Sequence, residues 1–541
     1  MQIVIIGGVA AGASAAAKAR RENEDVEITI FEKGQYISFA NCGLPYYLSG
    51  EIEKKKDLLV WEAKRFEKRY NVRVYAEHEV VRIDAEKREV EVKDLNSNEK
   101  KRYGYDKLIY ATGARPVSLP FFRGSNLFML RDVPDAERMR SFIEEKRPQR
   151  ALVIGAGFIG LETAEALVRR GLNVTVVELM PRVLPNMDAD IAIYMEKELR
   201  AMGVDVILKR SVKDFIMEDD VIREALLDNG ERVKCDLVFA SVGVKPEIEL
   251  AKSAGIEIGN RGIKVNERME TNVKGIYAAG DCVESKNIVT GKPAWIALAG
   301  PANQQGRVAG ANAAGSDLSY RGTLGTFIIR AGSMVAAKTG LSENEAKNEG
   351  YDLFPVYTHP QSHAEYYPGA KTLHMKLIVE RDGRILGAQI AGEDGVDKRI
   401  DVIATAIYFG ANIRDLEHLN LAYAPPFGSA RDPVNLAGMV GSHIVDGSVK
   451  PCYVENGETF IDVRTEREYK HGHADGAINI PVDNLRDREL ERDRAYVVYC
   501  REGYRSYLAY RILKHRGFRV KNYVGGYITY ASKKDVEEKS T

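Results

Sequence analysis

The 541 residues are too many for one hydrophobic core, and length alone asks for about three to four domains. Lys plus Arg equals Asp plus Glu at 78 each, with 45% hydrophobic residues, which is the balance of an ordinary globular protein and leaves no net field to attract nucleic acid. Five cysteines, Cys42, Cys235, Cys282, Cys452 and Cys500, lie far apart without the paired spacing of a metal site or a disulfide framework, so free thiols in a reducing cytoplasm are expected.

The chain opens with an apolar run over 2–7 that has no basic leader or cleavage site. No later run reaches the roughly 20 residues of a membrane span, so no membrane association is expected. Residues 3–32 read as strand, Gly-rich turn, Ala-rich helix and strand, one βαβ unit. Residues 54–101 are rich in charge and predict helices followed by an antiparallel excursion. The βαβ grammar returns over 151–178. Segments 236–242 and 275–279 are expected to return as strands to the first sheet. From about residue 320 long alternating strands, as at 373–379, precede an apolar helix over 400–408, a separate α+β unit. Pro451 marks a short junction, 459–530 alternates strands and helices again, and the polar tail 532–541 is expected to fray.

Two Gly-rich turns carry the first chemistry. In Gly7-Gly8-Val9-Ala10-Ala11-Gly12 the glycines permit a tight turn and close helix packing, leaving helix N-terminal amides for a pyrophosphate. Val9 takes the place of the usual central glycine, and Glu32, with Lys33 beside it, ends the next strand where a carboxylate can accept from ribose hydroxyls. The second turn, Gly155-Ala156-Gly157-Phe158-Ile159-Gly160 with Glu178, matches the pattern fully. Such turns can merely connect strands. Two of them, each with strand, helix and carboxylate in place, imply two nucleotides.

Two further segments, Tyr110-Ala111-Thr112-Gly113-Ala114 and Ile276-Tyr277-Ala278-Ala279-Gly280-Asp281, resemble the later fingerprints of flavoproteins with two dinucleotide-binding domains. The resemblance implies FAD at the first site, NAD(P)H at the second, and Asp281 on the flavin ribityl chain. Glu178 favours a free 2'-hydroxyl and hence NADH, although Arg182 could tolerate the 2'-phosphate of NADPH.

Ser38-Phe39-Ala40-Asn41-Cys42-Gly43-Leu44-Pro45 follows Glu32 closely. Its glycine and proline suggest a constrained turn or helix entry, where backbone dipoles can lower a thiol pKa. A lone cysteine is usually a small core hydrophobe. This segment, however, closely resembles the redox-active stretch of coenzyme A disulfide reductases and of their relatives, the NADH oxidases and peroxidases. Glutathione-type reductases carry a second nearby cysteine and this chain does not, so disulfide reduction at Cys42 must pass through a mixed disulfide with an external thiol, for which coenzyme A is the candidate. The histidine that assists oxygen chemistry in the oxidases and peroxidases is missing from Val9-Ala10-Ala11.

The resemblance also implies that Tyr423 and one of Tyr366 or Tyr367, which as strand neighbours face opposite ways, reach the partner subunit's reactive sulfur in a homodimer. Aromatic packing at a dimer interface would explain them equally. It further implies a coenzyme A site at Ser14, Lys18, Arg21, Ser38, Asn41, Asn303 and Arg307. As solvated charges Lys18 and Arg21 would need no such role. Arg69-Tyr70 stands where the family often has a lysine.

Near the end, Cys500-Arg501-Glu502-Gly503-Tyr504-Arg505-Ser506 lies between an apolar strand over 496–499 and a helix over 507–515. A short loop closed by a helix start turns amides inward around a thiolate or persulfide. With Asp462-Val463-Arg464 and the 472–481 segment it resembles a rhodanese domain. An inactive rhodanese fold kept for docking usually lacks the cysteine, and here Cys500 is present.

The expected molecule is therefore α/β: an FAD domain over 1–115 and 245–320, an NAD(P)H domain over 116–244, an α+β dimerisation domain over 321–446 and an α/β rhodanese domain over 452–541. The expected activity is electron transfer from NAD(P)H through FAD and Cys42 to coenzyme A disulfide, coenzyme A persulfide or polysulfide, with Cys500 delivering sulfane sulfur. An NADH oxidase, or a redox-sensing or sulfur-trafficking protein, is the alternative. Cys235, Cys282 and Cys452 are expected to be structural.

Overall fold

The computed structural model describes residues 1–454 and 457–539 and divides the chain into two compact units, 1–180 with 202–325, and 181–201 with 326–541. The last two residues of the polar tail lie outside the described residues. Among those described, no helix is long and apolar enough to cross a membrane.

In the first unit, strand Gln2–Ile6 lies parallel between Glu27–Phe31 and Lys107–Tyr110, and the five-stranded sheet is completed by Ile276–Ala278 and Arg73–Tyr75. Its central strands are buried on both faces, the reason they read as continuous apolar runs. Helices Ala10–Glu22 and Ala299–Ala313 pack so closely that a side chain at Gly306 or Gly310 would strike the backbone of Ala11 or Ala15.

A second parallel sheet holds Arg150–Ile154 between Asn173–Glu178 and Leu237–Ala240, with Asp205–Leu208 and Leu127–Phe128 outside them. Segment 237–240 thus joins the second sheet and not the first, as 236–242 was expected to do; only 276–278 returns. Between the two sheets the chain crosses on a short antiparallel pair, Ala114–Pro116 with Val244–Pro246.

In the second unit an antiparallel sheet runs Phe327–Ala331, Met334–Gly340, Ile385–Gly392, His374–Glu380, Leu353–Thr358, backed by helices Val396–Tyr408 and Pro433–Val445. The expected alternation along 373–379 does not appear as alternating exposure, because Met375 to Val379 are all buried. The charged residue in that run, Lys376, is held inside by Glu343, Asp190 and Asp188 at 2.8, 3.0 and 3.1 Å.

The last sheet is parallel, in the order Pro451–Cys452, Arg519–Tyr523, Ala495–Tyr499, Thr459–Asp462, Ile478–Asn479. Pro451 is consequently the first residue of an edge strand, where its missing N–H costs no ladder bond, and not merely a junction. Much of the tail expected to fray is helix Gly526–Glu538, which buries Thr529 and Ser532.

Candidate active site

Gly7 and Gly155 have φ of +96° and +100°, and a Cβ on either would strike a backbone carbonyl, Ala111 O or Ser241 O. Only glycine turns the chain there. Each turn leads into a helix, Ala10–Glu22 or Phe158–Arg169, whose N-cap, Val9 or Gly157, supplies no side-chain bond, so the first helical amides remain open to an anion.

The two predicted carboxylates close these turns in the same way. Glu32 accepts from Gly8 N and Gly34 N, both at 2.7 Å, and Glu178 accepts from Ala156 N at 2.6 Å and Met180 N at 2.8 Å. Each oxygen keeps a second lone pair for a ribose hydroxyl. Burial raises the Glu32 carboxyl against those two amides. Lys33 points away, into an ion pair with Glu79 at 2.7 Å. Arg182 donates to the Met187 and Pro185 carbonyls, which fixes the loop that carries it.

Thr112 donates to Glu247 O at 2.8 Å, and Gly113 beside it has φ +70°. Gly280, with φ +88°, donates to the Gln305 side chain at 2.9 Å. The next residue, Asp281, anchors Trp295 through its carbonyl, while burial alone lifts its carboxyl to about 6. A carboxylate desolvated in this way suits a polar ligand such as a ribityl chain. These groups fit FAD at the first turn and a pyridine nucleotide at the second.

All five cysteines are free, and Cys42 is the one that is exposed. It sits in a 3-10 turn, Asn41–Gly43, that runs directly into helix Leu44–Ser49. The expected lowering of its pKa is not seen: burial of the thiol group first, then the Glu162 and Asp281 carboxylates, push it up. A neutral thiol is therefore favoured until positive charge or a cofactor dipole arrives. Glu162, on the helix of the second Gly-rich turn, escaped sequence reasoning because nothing in its spacing links it to residue 42. Its carboxyl accepts from Tyr46 OH at 3.3 Å, and burial raises it to about 7.

Ser14, Lys18 and Arg21 follow helical spacing on Ala10–Glu22, and Ser14 donates to Asn303 at 2.6 Å on the packed helix that also carries Arg307. Lys18 is paired with Glu22. Arg20, next to Arg21, is buried and gives its guanidinium to carbonyls of Tyr70, Asn71, Asn23, Glu24 and Val26, a purely structural arginine. Ser38 adopts φ +45°, a backbone conformation costly for a non-glycine residue, with its N–H on Gly8 O. Arg69, which stands where the family often has a lysine, lies over the Trp61 ring. Cys235, Cys282 and Cys452 are buried, and burial holds the first two near 12.

In the second unit Tyr366 OH and Tyr423 OH stand 3.1 Å apart, both exposed, the former at 76%. Their bond, more than burial, raises the Tyr366 phenol. Residues 365–369 form a turn and not the strand assumed from sequence, so Tyr367 is directed elsewhere, edge-on to His363. Buried Arg399 holds this turn by donating to Ser362 O at 2.7 Å while paired with Asp432 at 3.0 Å.

Cys500 follows strand Ala495–Tyr499 at 2% exposure, its sulfur accepting from Gly503 N at 3.1 Å. The following helix starts at Tyr504, three residues earlier than expected, on the left-handed Gly503. Arg505 interacts with the Cys500 sulfur and forks onto Glu468, both oxygens at 2.7 Å, which takes that carboxyl down to about 2. Asp462 and Arg464 serve the frame: Arg464 clamps Asp462 and Gly472 O and covers the Tyr527 ring.

Comparison with known proteins agrees with this geometry. Residues 1–306 match the family model for pyridine nucleotide-disulphide oxidoreductases, 331–433 match the dimerisation domain of those enzymes, and 452–533 match the rhodanese-like domain. A relative from Pyrococcus furiosus, named NAD(P)H sulfur oxidoreductase (CoA-dependent), is 37% identical over 80% of this chain and 97% of its own. Among solved structures, the reduced Bacillus anthracis CoADR-RHD superposes with a TM-score of 0.96 at 42% identity, covering 98% of each chain. A NAD-dependent persulfide reductase from A. fulgidus gives 0.92 at 39% identity, covering 98% of this chain and 100% of that one. The chain therefore belongs to the pyridine nucleotide-disulphide oxidoreductases, flavoenzymes that use FAD and NAD(P)H, and it carries a rhodanese-like domain after its dimerisation domain.

Proposed function

We propose that this enzyme reduces coenzyme A disulfide, coenzyme A persulfide or polysulfide through the single thiol of Cys42, acting as a homodimer in the cytoplasm, and that Cys500 delivers sulfane sulfur. The observation that carries the reading is the exposed Cys42 at a helix entry beside the first nucleotide turn, in a chain whose other four cysteines are buried.

The Gly7–Gly12 turn, Glu32, Thr112 and Asp281 would hold FAD, which when bound would supply the two-electron link to NAD(P)H. Cys42 attacks one sulfur of the disulfide; a mixed disulfide forms, the substrate S–S bond breaks, and its electron pair leaves on the departing thiolate. The Tyr366–Tyr423 pair of the partner subunit holds the proton that this thiolate takes up. Reduction of the mixed disulfide by the two electrons that NAD(P)H and FAD would supply when bound, with one proton, releases the second coenzyme A thiol and returns Cys42 as thiolate. Ser14, Lys18, Arg21, Asn303 and Arg307 bind the nucleotide end of coenzyme A.

The test is anaerobic NADH oxidation with coenzyme A disulfide or polysulfide as acceptor, combined with mass spectrometry of the protein before and after reduction. Cys42→Ser is expected to lower turnover by at least about 10³-fold and to abolish the coenzyme A or sulfane adduct at that position. Turnover that survives the substitution, or that needs oxygen, overturns the proposal.

A further inference from the structure

The charges of the Cys500 loop do not suit every sulfur donor. Arg505 interacts with the sulfur, yet Glu468 forks onto both of its terminal nitrogens, and Glu468 is itself fixed by the Thr465 amide and hydroxyl at 3.1 and 3.0 Å. Arg501, the second cation, has Nε 3.5 Å from the Glu502 carboxylate. Burial raises the Glu502 carboxyl against the Arg501 charge, and the charge of Glu365, the residue before Tyr366, adds to the rise. Two guanidinium groups thus stand among three carboxylates, and the sulfur also accepts from the neutral Gly503 amide.

We infer that Glu502 sets the donor specificity of the Cys500 loop, selecting an organic persulfide over a dianionic inorganic donor such as thiosulfate. The inference rests on the reading of Cys500 as a sulfur carrier and names its substrate class. In the transfer, the Cys500 thiolate bonds to the outer sulfur of the persulfide. The donor S–S bond breaks with its electron pair on the departing thiolate, which takes the proton the persulfide brought, and Cys500 is left as a persulfide anion. Thiosulfate would undergo the same displacement with sulfite leaving, but it must first bring two negative charges past Glu502 and Glu365. A persulfide brings at most one to the reacting sulfurs.

The experiment uses the full-length holoenzyme and compares thiosulfate with the persulfide of 2-mercaptoethanol, reading sulfur loading on the Cys500 peptide by mass over time. The wild type should load faster from the organic persulfide. Glu502→Lys should raise the thiosulfate-to-persulfide ratio of loading rates by at least about tenfold, and Glu502→Gln by less, since two and one charges are changed within a few ångströms of the donor. Added salt should speed wild-type loading from thiosulfate and slow it in Glu502→Lys, which a merely structural role would not produce. A wild type that prefers thiosulfate, or a ratio unmoved in both variants, overturns the role of Glu502 and leaves Cys500 a carrier. No loading from either donor overturns the carrier reading with it.

Discussion

At the scale of single residues, Glu162 couples Cys42 to pH by adding to the burial that already raises the thiol. The carboxyl titrates at about 7 and lies within electrostatic reach of the thiol. Below pH 7 it is neutral and leaves the thiol alone; above pH 7 its charge opposes thiolate formation. Glu162→Gln should therefore move the alkylation midpoint of Cys42 in the reduced holoenzyme downward, with variant and wild-type rates converging in acid and separating in base. Superimposable profiles would show that the two groups are not coupled. Glu32 and Glu178 were legible in sequence because each stands at a fixed offset from a Gly-rich turn, which its carboxylate closes, whereas Cys42 and Cys500 were singled out by the resemblance of the segments around them. Glu162 was not, since its role comes from two helices, Leu44–Ser49 and Phe158–Arg169, that are over a hundred residues apart and pack together. The choice between Tyr366 and Tyr367 was equally closed to sequence, because it turns on whether the segment is a strand or a turn.

Elements were read well where hydrophobic period and turn residues agreed, and poorly where tertiary neighbours decided. Both βαβ units stand as expected, but a four-residue apolar strand such as Leu237–Ala240 carries no mark of which parallel sheet it joins. Lys376 stands within the buried run of its strand, and burial opposes its charge while Asp190, Asp188 and Glu343 raise its pKa. Arg399 is the same kind of group with a clearer use, because it ties helix Val396–Tyr408 to the tyrosine turn through Ser362 O and to the cap of helix Pro433–Val445 through Asp432. Removing one partner of a buried pair strands the other charge. Arg399→Ala should cost about 3–5 kcal/mol of stability, read as a lowered Tm. Arg399→Met paired with Asp432→Asn should recover part of that loss, whereas equal Tm values for wild type and Arg399→Ala would show that the pair contributes nothing.

For the molecule as a whole, the rhodanese-like domain is held against the dimerisation domain by groups that titrate. His359, after strand Leu353–Thr358, meets Thr529 of helix Gly526–Glu538 at 2.7 Å and His374 at 3.0 Å, and the ring of His374 stacks on Tyr194 at 3.6 Å. The main-chain amides of Tyr527 and Ile528, at the start of the same helix, donate to the Cys500 and Arg501 carbonyls, so this seam also supports the sulfur-carrying loop. Burial, aided by Lys197, takes His374 down to about 4; burial, aided by His374 and Arg501, takes His359 well below its ordinary value. Both histidines are thus neutral in the fold and bind protons more readily when released, so their contribution to stability is complete above about pH 6.5 and is lost as pH falls toward 4. For His374, which is only partly covered, the loss is at most on the order of 3 kcal/mol. Acidification from pH 7 to 5 should loosen the seam before the sheets unfold, seen as faster proteolysis near residues 446–454 and as a drop in sulfur loading at Cys500. His359→Gln keeps a neutral hydrogen-bonding group and should flatten that pH dependence while leaving the cut pattern at pH 7 unchanged. Proteolysis that accelerates to the same degree in this variant would assign the acid sensitivity to other groups.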